Sequence, residues 1–244
     1  MAEDFHKPIF ALSVLITIIV VISFFASPAG KKDAASVIAP YMVKDNGLEP
    51  DASADSVAIV RLNSGQVLYA RNPALFLPIA SITKLMTAVL LLESSDPFDL
   101  VEISQLSKKT EENGEKISSI PAGEFFKTED MLKFMLIDSY NDSARAAAEY
   151  ISAKFGAIPF PDLMNKKAVE LGMVNSHFDN PAGLDSAENY STARDLTLLV
   201  SYITKNHPRI LDISRIYETD IFSSSKNKYH FVKILFPDRK QNKF

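Results

Sequence analysis

The alternation of hydrophobic and polar positions predicts a hairpin where the folded part of the chain begins. Residues 56–62 and 66–70 are rich in residues that favour strands, and they flank the turn Asn63-Ser64-Gly65. Such a turn places its glycine in a left-handed conformation, which glycine adopts without strain. Residues 216–232 have the pattern of extended chain or of a second hairpin. We therefore predict strands in both segments.

Helical patterns dominate between these two segments. Residues 81–93 are almost wholly apolar, which predicts a central, buried helix. Further helices are expected at about residues 128–138, 141–155, 161–171 and 192–205. The aromatic residues that we expect in the core are Phe76, Phe125, Phe126, Phe134 and Phe155. No internal repeat is visible, so these elements are expected to form one domain over residues 55–232.

The sequence before this domain predicts a membrane segment. A short N-terminal segment at 1–8 precedes an uncharged apolar run at 9–26, and a linker rich in Ala, Pro, Asp and Ser follows at 27–54. The run has 18 residues, which is borderline for spanning about 30 Å of hydrocarbon. Its length favours an uncleaved signal anchor over a cleavable signal peptide ending near 27–29. Lysines lie on both sides of the run, so charge does not set its orientation.

Composition excludes several classes of protein. The chain has 244 residues, of which 47% are hydrophobic and 23% charged, an ordinary balance for a globular protein. The net charge of −4 gives no indication of nucleic-acid binding. Without cysteine there is no disulfide framework and no thiolate metal site, and the four histidines lack H-E-x-x-H spacing. We therefore expect no metal, no other cofactor and no nucleic-acid partner.

One pair of residues at the start of the apolar helix has the spacing of a nucleophile and its base. Ser81 and Lys84 are three residues apart, so they share one face of a helix. Free backbone N–H groups at a helix start stabilise an alkoxide, and a neutral lysine one turn away can take the serine's proton. Alone, this spacing is weak evidence, because a capping serine and a solvated lysine would look the same.

A second motif lies at a junction between helices. The triplet Ser139-Tyr140-Asn141 follows the amphipathic run 129–137 and precedes a new helical stretch. A serine and an amide at such a junction can point into a cleft. The alternative is that Ser139 or Asn141 caps the second helix, and the two roles are compatible.

Together these motifs resemble those of D-alanyl-D-alanine carboxypeptidases, the low-molecular-mass penicillin-binding proteins. The matching stretches, in chain order, are 78–87, 135–144, 160–168, 171–173, 177–185 and 190–196. The resemblance covers about residues 55–232. It implies an α+β fold of the DD-peptidase and β-lactamase type, in which a cluster of helices packs on an antiparallel sheet.

The resemblance also implies a reaction and its participants. Ser81 would attack the carbonyl between two terminal D-alanines of a peptidoglycan stem peptide, with Lys84 as the base. Ser139 would relay a proton to the leaving amine, and Asn141 would bind Lys84 or the substrate amide. β-Lactam antibiotics would inhibit the protein. It would act at the extracytoplasmic face of a bacterial membrane, held there by its N-terminal segment.

One departure from the family bears on activity. The family's third motif, K-[ST]-G, is absent, and residues 233–244 form an aberrant tail that a frameshift or premature stop would explain. Lowering the pKa of a lysine from about 10.4 to about 7.5 requires the protonated form to be destabilised by roughly 4 kcal/mol. The lysine of the missing motif, as a second cation nearby, would contribute part of that destabilisation. The sequence therefore predicts an incomplete sheet and impaired turnover.

Two alternatives remain open at this point. A class A β-lactamase would carry Ser-Asp-Asn at residues 139–141 and a glutamate in E-x-x-x-N, but Glu170 and Asn175 miss that spacing by one position. A membrane-anchored protein that binds cell-wall peptide without turnover would also fit the missing motif. Acylation by penicillin separates these alternatives.

Overall fold

The structure is a computed structural model that describes residue 50, residues 53–110 and residues 115–233. The predicted membrane segment at 9–26 and the tail from residue 234 lie outside the described residues. Within the described ranges, no helix is long and apolar enough to cross a membrane.

Eight strands form four separate antiparallel pairs in the part of the chain that the structure describes. They are β1 (Val57–Arg61), β2 (Gln66–Arg71), β3 (Leu77–Pro78), β4 (Leu100–Ile103), β5 (Glu124–Lys127), β6 (Tyr190–Ser191), β7 (Glu218–Ser223) and β8 (Lys228–Lys233). The pairs are β1 with β2, β3 with β6, β4 with β5, and β7 with β8. Both predicted hairpins are confirmed, and Gly65 has the expected left-handed conformation with φ of 68°. The pairs β3–β6 and β4–β5 were not predicted.

Six helices lie among the same described residues. They are α1 (Thr83–Ser94), α2 (Thr128–Leu136), α3 (Asn141–Lys154), α4 (Phe160–Glu170), α5 (Ala193–Asn206) and α6 (Pro208–Ser214). The predicted helix at 81–93 differs at its start, because Ala80–Ile82 forms a 3₁₀ turn ahead of α1. The sequence analysis missed α6, although Pro208 occupies its first turn, where a proline costs no hydrogen bond.

Helix α1 is the centre of the fold. Most of its residues are buried, and it packs against α2, α3, α4 and α6. A helix that is apolar all round has no face suited to water, so neighbouring helices cover every side of it. The prediction of a central, buried helix is confirmed, and with it the α+β class.

The predicted aromatic core is correct only in part. Phe126 and Phe134 are fully buried and pack edge to face, with ring centroids 5.0 Å apart. Phe125 is half-buried. Phe76 and Phe155 are exposed, so their assignment to the core is wrong. Phe76 packs edge to face on Tyr190 at the surface, 5.5 Å between centroids, and Phe155 follows the last turn of α3, where the chain leaves the core.

Candidate active site

The turn before α1 presents Ser81 to solvent while Lys84 is buried behind it. Ala80 has a positive φ of 43°, which redirects the chain from β3 into the 3₁₀ turn. Ser81 lies in that turn and is exposed, whereas Lys84 is 1% exposed in the first turn of α1. The Lys84 ammonium donates to Ser81 Oγ at 3.0 Å. The serine is thus accessible to a substrate and in direct contact with a buried amine.

Two further acceptors complete the surroundings of the Lys84 amine. Nζ donates to Asn141 Oδ1 at 2.7 Å and to the Ala182 carbonyl oxygen at 2.7 Å. Asn141 opens α3, and Ala182 lies in the loop between α4 and β6. Lys84 therefore joins three segments that are far apart in the sequence. The sequence analysis named Ser81, Lys84 and Asn141, and the structure brings these three together.

The Ala182 carbonyl is held in place by a neighbouring amide side chain. Asn180 Oδ1 accepts the backbone N–H groups of Ala182, Gly183 and Leu184 at 3.2, 2.7 and 2.9 Å. Its Nδ2 donates to the Leu184 carbonyl at 3.1 Å. From the sequence, residues 177–185 were one of the stretches that carry the family resemblance, and no role in the site was predicted for them. An asparagine followed by proline and glycine signals a tight turn, but it does not indicate a contact with Lys84.

The same loop presses directly on the turn that carries the nucleophile. Gly183 has a φ of +82°, and a Cβ atom at this position would lie 1.9 Å from the Ala80 carbonyl oxygen. Thr87 of α1 donates its hydroxyl to the Pro181 carbonyl at 2.7 Å. Only glycine allows this approach, so residues 180–184 and the turn before α1 are packed as one unit.

Burial lowers the pKa of Lys84 from 10.5 to about 8. Of the charges that act on it, the Glu115 carboxylate raises the pKa, while Arg145 and Lys116 lower it. At pH 7 a lysine with this pKa is neutral in about a tenth of the molecules, compared with roughly one in 2,500 for a free lysine. The sequence analysis assigned the second cation to the absent third motif. In the structure, burial is the largest cause, and the nearby cations are Arg145 and Lys116.

Ser139 lies in the turn between α2 and α3 with a positive φ of 59°. It is half-buried, and its hydroxyl forms no hydrogen bond with any residue that the structure describes. Neither Ser139 nor Asn141 caps α3, whose N-cap is Tyr140 without a side-chain bond, so the capping alternative is wrong. The structure therefore joins Asn141 to Lys84 but does not join Ser139 to it by a hydrogen bond.

No group of histidine and acidic side chains within the described ranges could hold a metal ion. An open cavity of about 850 Å³ lies beside the turn that carries Ser81. It is lined by Phe76, Leu77 and Pro78 on one side and by residues 185–187, Asn189 and Tyr190 on the other. Asn189 of this cavity donates to the Thr83 hydroxyl at 3.3 Å, two residues after Ser81.

A serine hydroxyl bonded to a buried, partly neutral lysine defines a candidate nucleophile–base pair of a serine acyl-transfer enzyme. Comparison with known proteins agrees with this class. The profile of the D-alanyl-D-alanine carboxypeptidase family matches residues 43–238, and the chain belongs to that family.

Several individual proteins are similar to this chain. A D-alanyl-D-alanine endopeptidase of Pseudomonas aeruginosa is 41% identical over 153 residues, which are 63% of this chain and 48% of that protein. A D-alanyl-D-alanine endopeptidase of Escherichia coli is 36% identical over 217 residues, 88% of this chain and 63% of that protein. The chain thus spans between about half and two thirds of the length of these relatives.

A solved structure with the same fold was determined with an antibiotic bound. Penicillin-binding protein D2 from Listeria monocytogenes, in its ampicillin-bound form, aligns with a TM-score of 0.62 at 26% identity. The alignment covers 76% of this chain and 74% of that one. The fold predicted from the sequence resemblance is therefore confirmed.

Proposed function

We propose that this protein is a serine-type DD-peptidase that cleaves the D-alanyl-D-alanine bond of peptidoglycan stem peptides and is acylated by β-lactams. The observation that carries the proposal is the contact between Lys84 Nζ and Ser81 Oγ at 3.0 Å, with Lys84 buried. Family membership and the ampicillin-bound relative agree with it. The reaction takes place at the extracytoplasmic face of a bacterial membrane, where such a substrate is found.

The hydrogen bonds of Lys84 support its role as the base. A neutral amine has two N–H donors and one lone pair. The two N–H groups bind Asn141 Oδ1 and the Ala182 carbonyl, both at 2.7 Å. The lone pair is then left for the Ser81 hydroxyl, which becomes the donor in the neutral state. Asn141 and Ala182 thus orient the base toward the nucleophile, and they also hold the ammonium that forms when the proton is transferred.

Acylation follows from this arrangement. Ser81 Oγ attacks the carbonyl carbon of the penultimate D-alanine as its proton passes to Lys84. The backbone N–H of Ser81, in the first turn of the 3₁₀ segment, would donate to the oxyanion, because the first N–H groups of a helical turn lack partners within that turn. The C–N bond then breaks, and the amine of the terminal D-alanine takes a proton. Ser139 relays that proton. This role is supported by the Ser139 hydroxyl, which has no hydrogen-bond partner among the described residues.

Deacylation returns the enzyme to its starting state. Water attacks the ester carbon of the acyl-enzyme, the bond to Ser81 Oγ breaks, and the serine regains a proton. The stem peptide leaves as a carboxylic acid shortened by one D-alanine. A β-lactam enters the same first step, and its ring-opened acyl group remains attached to Ser81.

A second candidate reaction is cleavage of an internal bond that follows a D-alanine. The observation that favours it is that the similar proteins of P. aeruginosa and E. coli are both D-alanyl-D-alanine endopeptidases. The chemistry at Ser81 and Lys84 would be the same, and only the leaving amine would differ. Digestion of a linear pentapeptide and of a cross-linked dimer, followed by mass spectrometry of the products, separates the two reactions.

Fluorescent penicillin tests the proposal on the full chain. A long-lived covalent adduct that disappears in Ser81→Ala supports a DD-peptidase. Rapid release of hydrolysed antibiotic would instead indicate a β-lactamase. If the folded parent forms no adduct, the protein is a cell-wall peptide binder or an inactive member of the family, and the proposal is wrong.

A further inference from the structure

Lys116 contacts the turn that carries Ser139 from both of its sides. Its backbone carbonyl accepts the N–H of Asn141 at 2.8 Å. Its ammonium lies 3.3 Å from Asp138 Oδ1 and 5.4 Å from the centroid of the Tyr140 ring. One residue therefore binds the turn immediately before Ser139 and immediately after it. The turn needs such support, because a serine with a φ of 59° is strained.

The backbone of Lys116 is connected to the Lys84 amine through one residue, Asn141. Asn141 binds Lys116 with its N–H and Lys84 with its Oδ1, at 2.8 and 2.7 Å. A displacement of Lys116 would therefore move the amide that orients the Lys84 amine. Asn141 is 8% exposed, so water cannot readily replace the lost contact.

Lys116 also brings charge to this region. The charged groups that act on Lys84 are Glu115 and Lys116 from the segment before β5 and Arg145 from α3. Glu115 and Arg145 form an ion pair with each other and act on the pKa of Lys84 in opposite directions, with Glu115 the stronger of the two.

Lys116 pairs with Asp138 at 3.3 Å, and 39% of its side chain is exposed. Asp142, the other carboxylate near the start of α3, is bound by Lys108 at 3.0 Å and by Ser118 at 2.5 Å. Lys116 lowers the pKa of Lys84, whereas its partner Asp138 is not among the charges that act on Lys84, so removal of the Lys116 cation is expected to raise that pKa.

We propose that Lys116 is a positioning residue of the candidate active site, which fixes the 138–141 turn and keeps a positive charge beside Lys84. A nearby cation disfavours the ammonium form of a lysine and so favours the neutral base. This inference rests on the proposed role of Lys84 as the base. Lys116 itself is not proposed to touch the substrate.

Titration of Lys84 in the full chain tests the proposal without any need for turnover. With ¹³Cε-labelled lysine, the Lys84 resonance is assigned by its loss in Lys84→Arg and followed with pH by NMR. We expect a transition near pH 8 in the parent. Lys116→Gln should move the transition to higher pH, and Lys116→Arg, which keeps the charge, should leave it in place.

Two control variants separate charge from structure. Asp138→Asn breaks the same ion pair but keeps the cation, so the transition of Lys84 should not move upward. Lys133→Gln removes a cation of α2 that pairs with Asp130 at 2.7 Å and does not act on Lys84, so it should change nothing. Equal titrations of the parent and Lys116→Gln, or equal upward shifts in Lys116→Gln and Asp138→Asn, would overturn the proposal.

Penicillin acylation gives a second measure. Lys116→Gln should acylate roughly two- to threefold more slowly than the parent at pH 7 and should approach the parent rate above pH 9. A loss that is the same at every pH would mean that only the fold had been damaged. If the parent is not acylated at all, the proposed function fails, whereas the NMR titration still decides the role of Lys116.

Discussion

At the scale of the residue, the site depends on a lysine that the fold makes unusually acidic. Lowering its pKa from 10.5 to about 8 corresponds to roughly 3 kcal/mol that disfavour the buried ammonium. Three acceptors around Nζ offset part of that cost. The hydrogen bonds stabilise the charged form of Lys84, while burial favours the neutral form. The amine can therefore lose its proton near neutral pH.

The pKa of Lys84 predicts the pH dependence of acylation. Because only the neutral amine accepts the Ser81 proton, the rate of labelling by fluorescent penicillin should rise with pH, with a midpoint near 8. Lys84→Arg should abolish labelling, since a guanidinium keeps its proton at every pH tested. Labelling by Lys84→Arg at more than a few per cent of the parent rate, with a normal melting curve, would contradict the assignment of the base.

Asn180 offers a second prediction at this scale. Asn180→Ala leaves three backbone N–H groups without their acceptor, so the free energy of unfolding should fall by about 1–3 kcal/mol. Acylation should fall further than stability explains, because the Ala182 carbonyl is released from Lys84. Asn180→Asp keeps the acceptor oxygen and is the matched control. Chemical denaturation and penicillin labelling of both variants check this.

At the scale of the element, the nucleophile depends on two segments that pack without side chains between them. Residues 180–184 lie against the 3₁₀ turn so closely that a methyl group at Gly183 would overlap the Ala80 carbonyl, at 1.9 Å. Helix α1 supplies Lys84, α3 supplies Asn141, and this loop supplies the Ala182 carbonyl. Positions in the site are therefore set by backbone contacts between elements.

Substitution of two glycines with similar backbone conformations tests this packing. Gly183→Ala should abolish acylation, because the new methyl group must push residues 80–81 away from Lys84. Gly156→Ala has a similar φ of +77° but no atom within 4 Å, so it should cost only about 1–2 kcal/mol of stability and keep acylation. Similar acylation by both variants would show that the close contact at Gly183 has no effect on the nucleophile.

At the scale of the whole molecule, the second hairpin is tied to the rest of the fold by a buried carboxylate. Glu124 of β5 is fully buried and lies 2.8 Å from His230 Nε2 and 2.9 Å from Lys228 Nζ of β8. The turn of the hairpin adds a bond from the Ser224 N–H to the Phe125 carbonyl at 3.0 Å. The opposite face of the hairpin exposes Phe222, Tyr229 and Phe231.

The Glu124 contact predicts a pH-dependent contribution to stability. Burial raises the pKa of Glu124, but hydrogen bonds from Lys228, Ser223 and His230 outweigh it and hold the pKa below 4.5. The carboxylate therefore stabilises the fold above pH 4.5, and this contribution is lost as the pH falls through the lowered pKa. Glu124→Gln should lose about 1–3 kcal/mol at pH 7 and progressively less as the pH falls below 4.5, measured by denaturant titration.

An exposed pair on the same hairpin serves as the control for Glu124. Glu218 lies 3.6 Å from Lys233, with both side chains largely open to solvent. Glu218→Gln should change stability by less than about 0.5 kcal/mol at either pH. A loss at Glu124 that persists unchanged at pH 3 would mean that packing, and not charge, joins the hairpin to β5.

The impaired turnover predicted from the absent K-[ST]-G motif stays a prediction. Release of D-alanine from a D-Ala-D-Ala peptide, measured beside penicillin acylation of the same sample, tests it directly. Acylation with little release of D-alanine would agree with an impaired enzyme. Ordinary turnover would mean that Arg145 and Lys116 suffice as the cations near Lys84.

Features that depend on neighbours along the chain could be predicted from the sequence. The apolar run at 81–93 predicted a buried helix, and the three-residue spacing of Ser81 and Lys84 predicted their contact, although Ser81 lies in the 3₁₀ turn before that helix. The turn at Gly65 followed from glycine's tolerance of positive φ. The errors at Phe76 and Phe155 have the opposite cause, because whether an aromatic ring is buried depends on what packs over it.

The acidity and the orientation of the base depend on contacts between distant parts of the chain. The Ala182 carbonyl lies 98 positions from Lys84 along the chain, and no local pattern connects them. Nothing in the sequence connected Lys116 and Arg145 with Lys84, because charge at a distance acts only once the chain has brought the groups together. Lys84 is likewise buried where α1 meets the start of α3 and the loop that carries Ala182. The local conformational preferences of residues select helices and strands. The pKa and orientation of a side chain in the site are set by packing between distant parts of the chain.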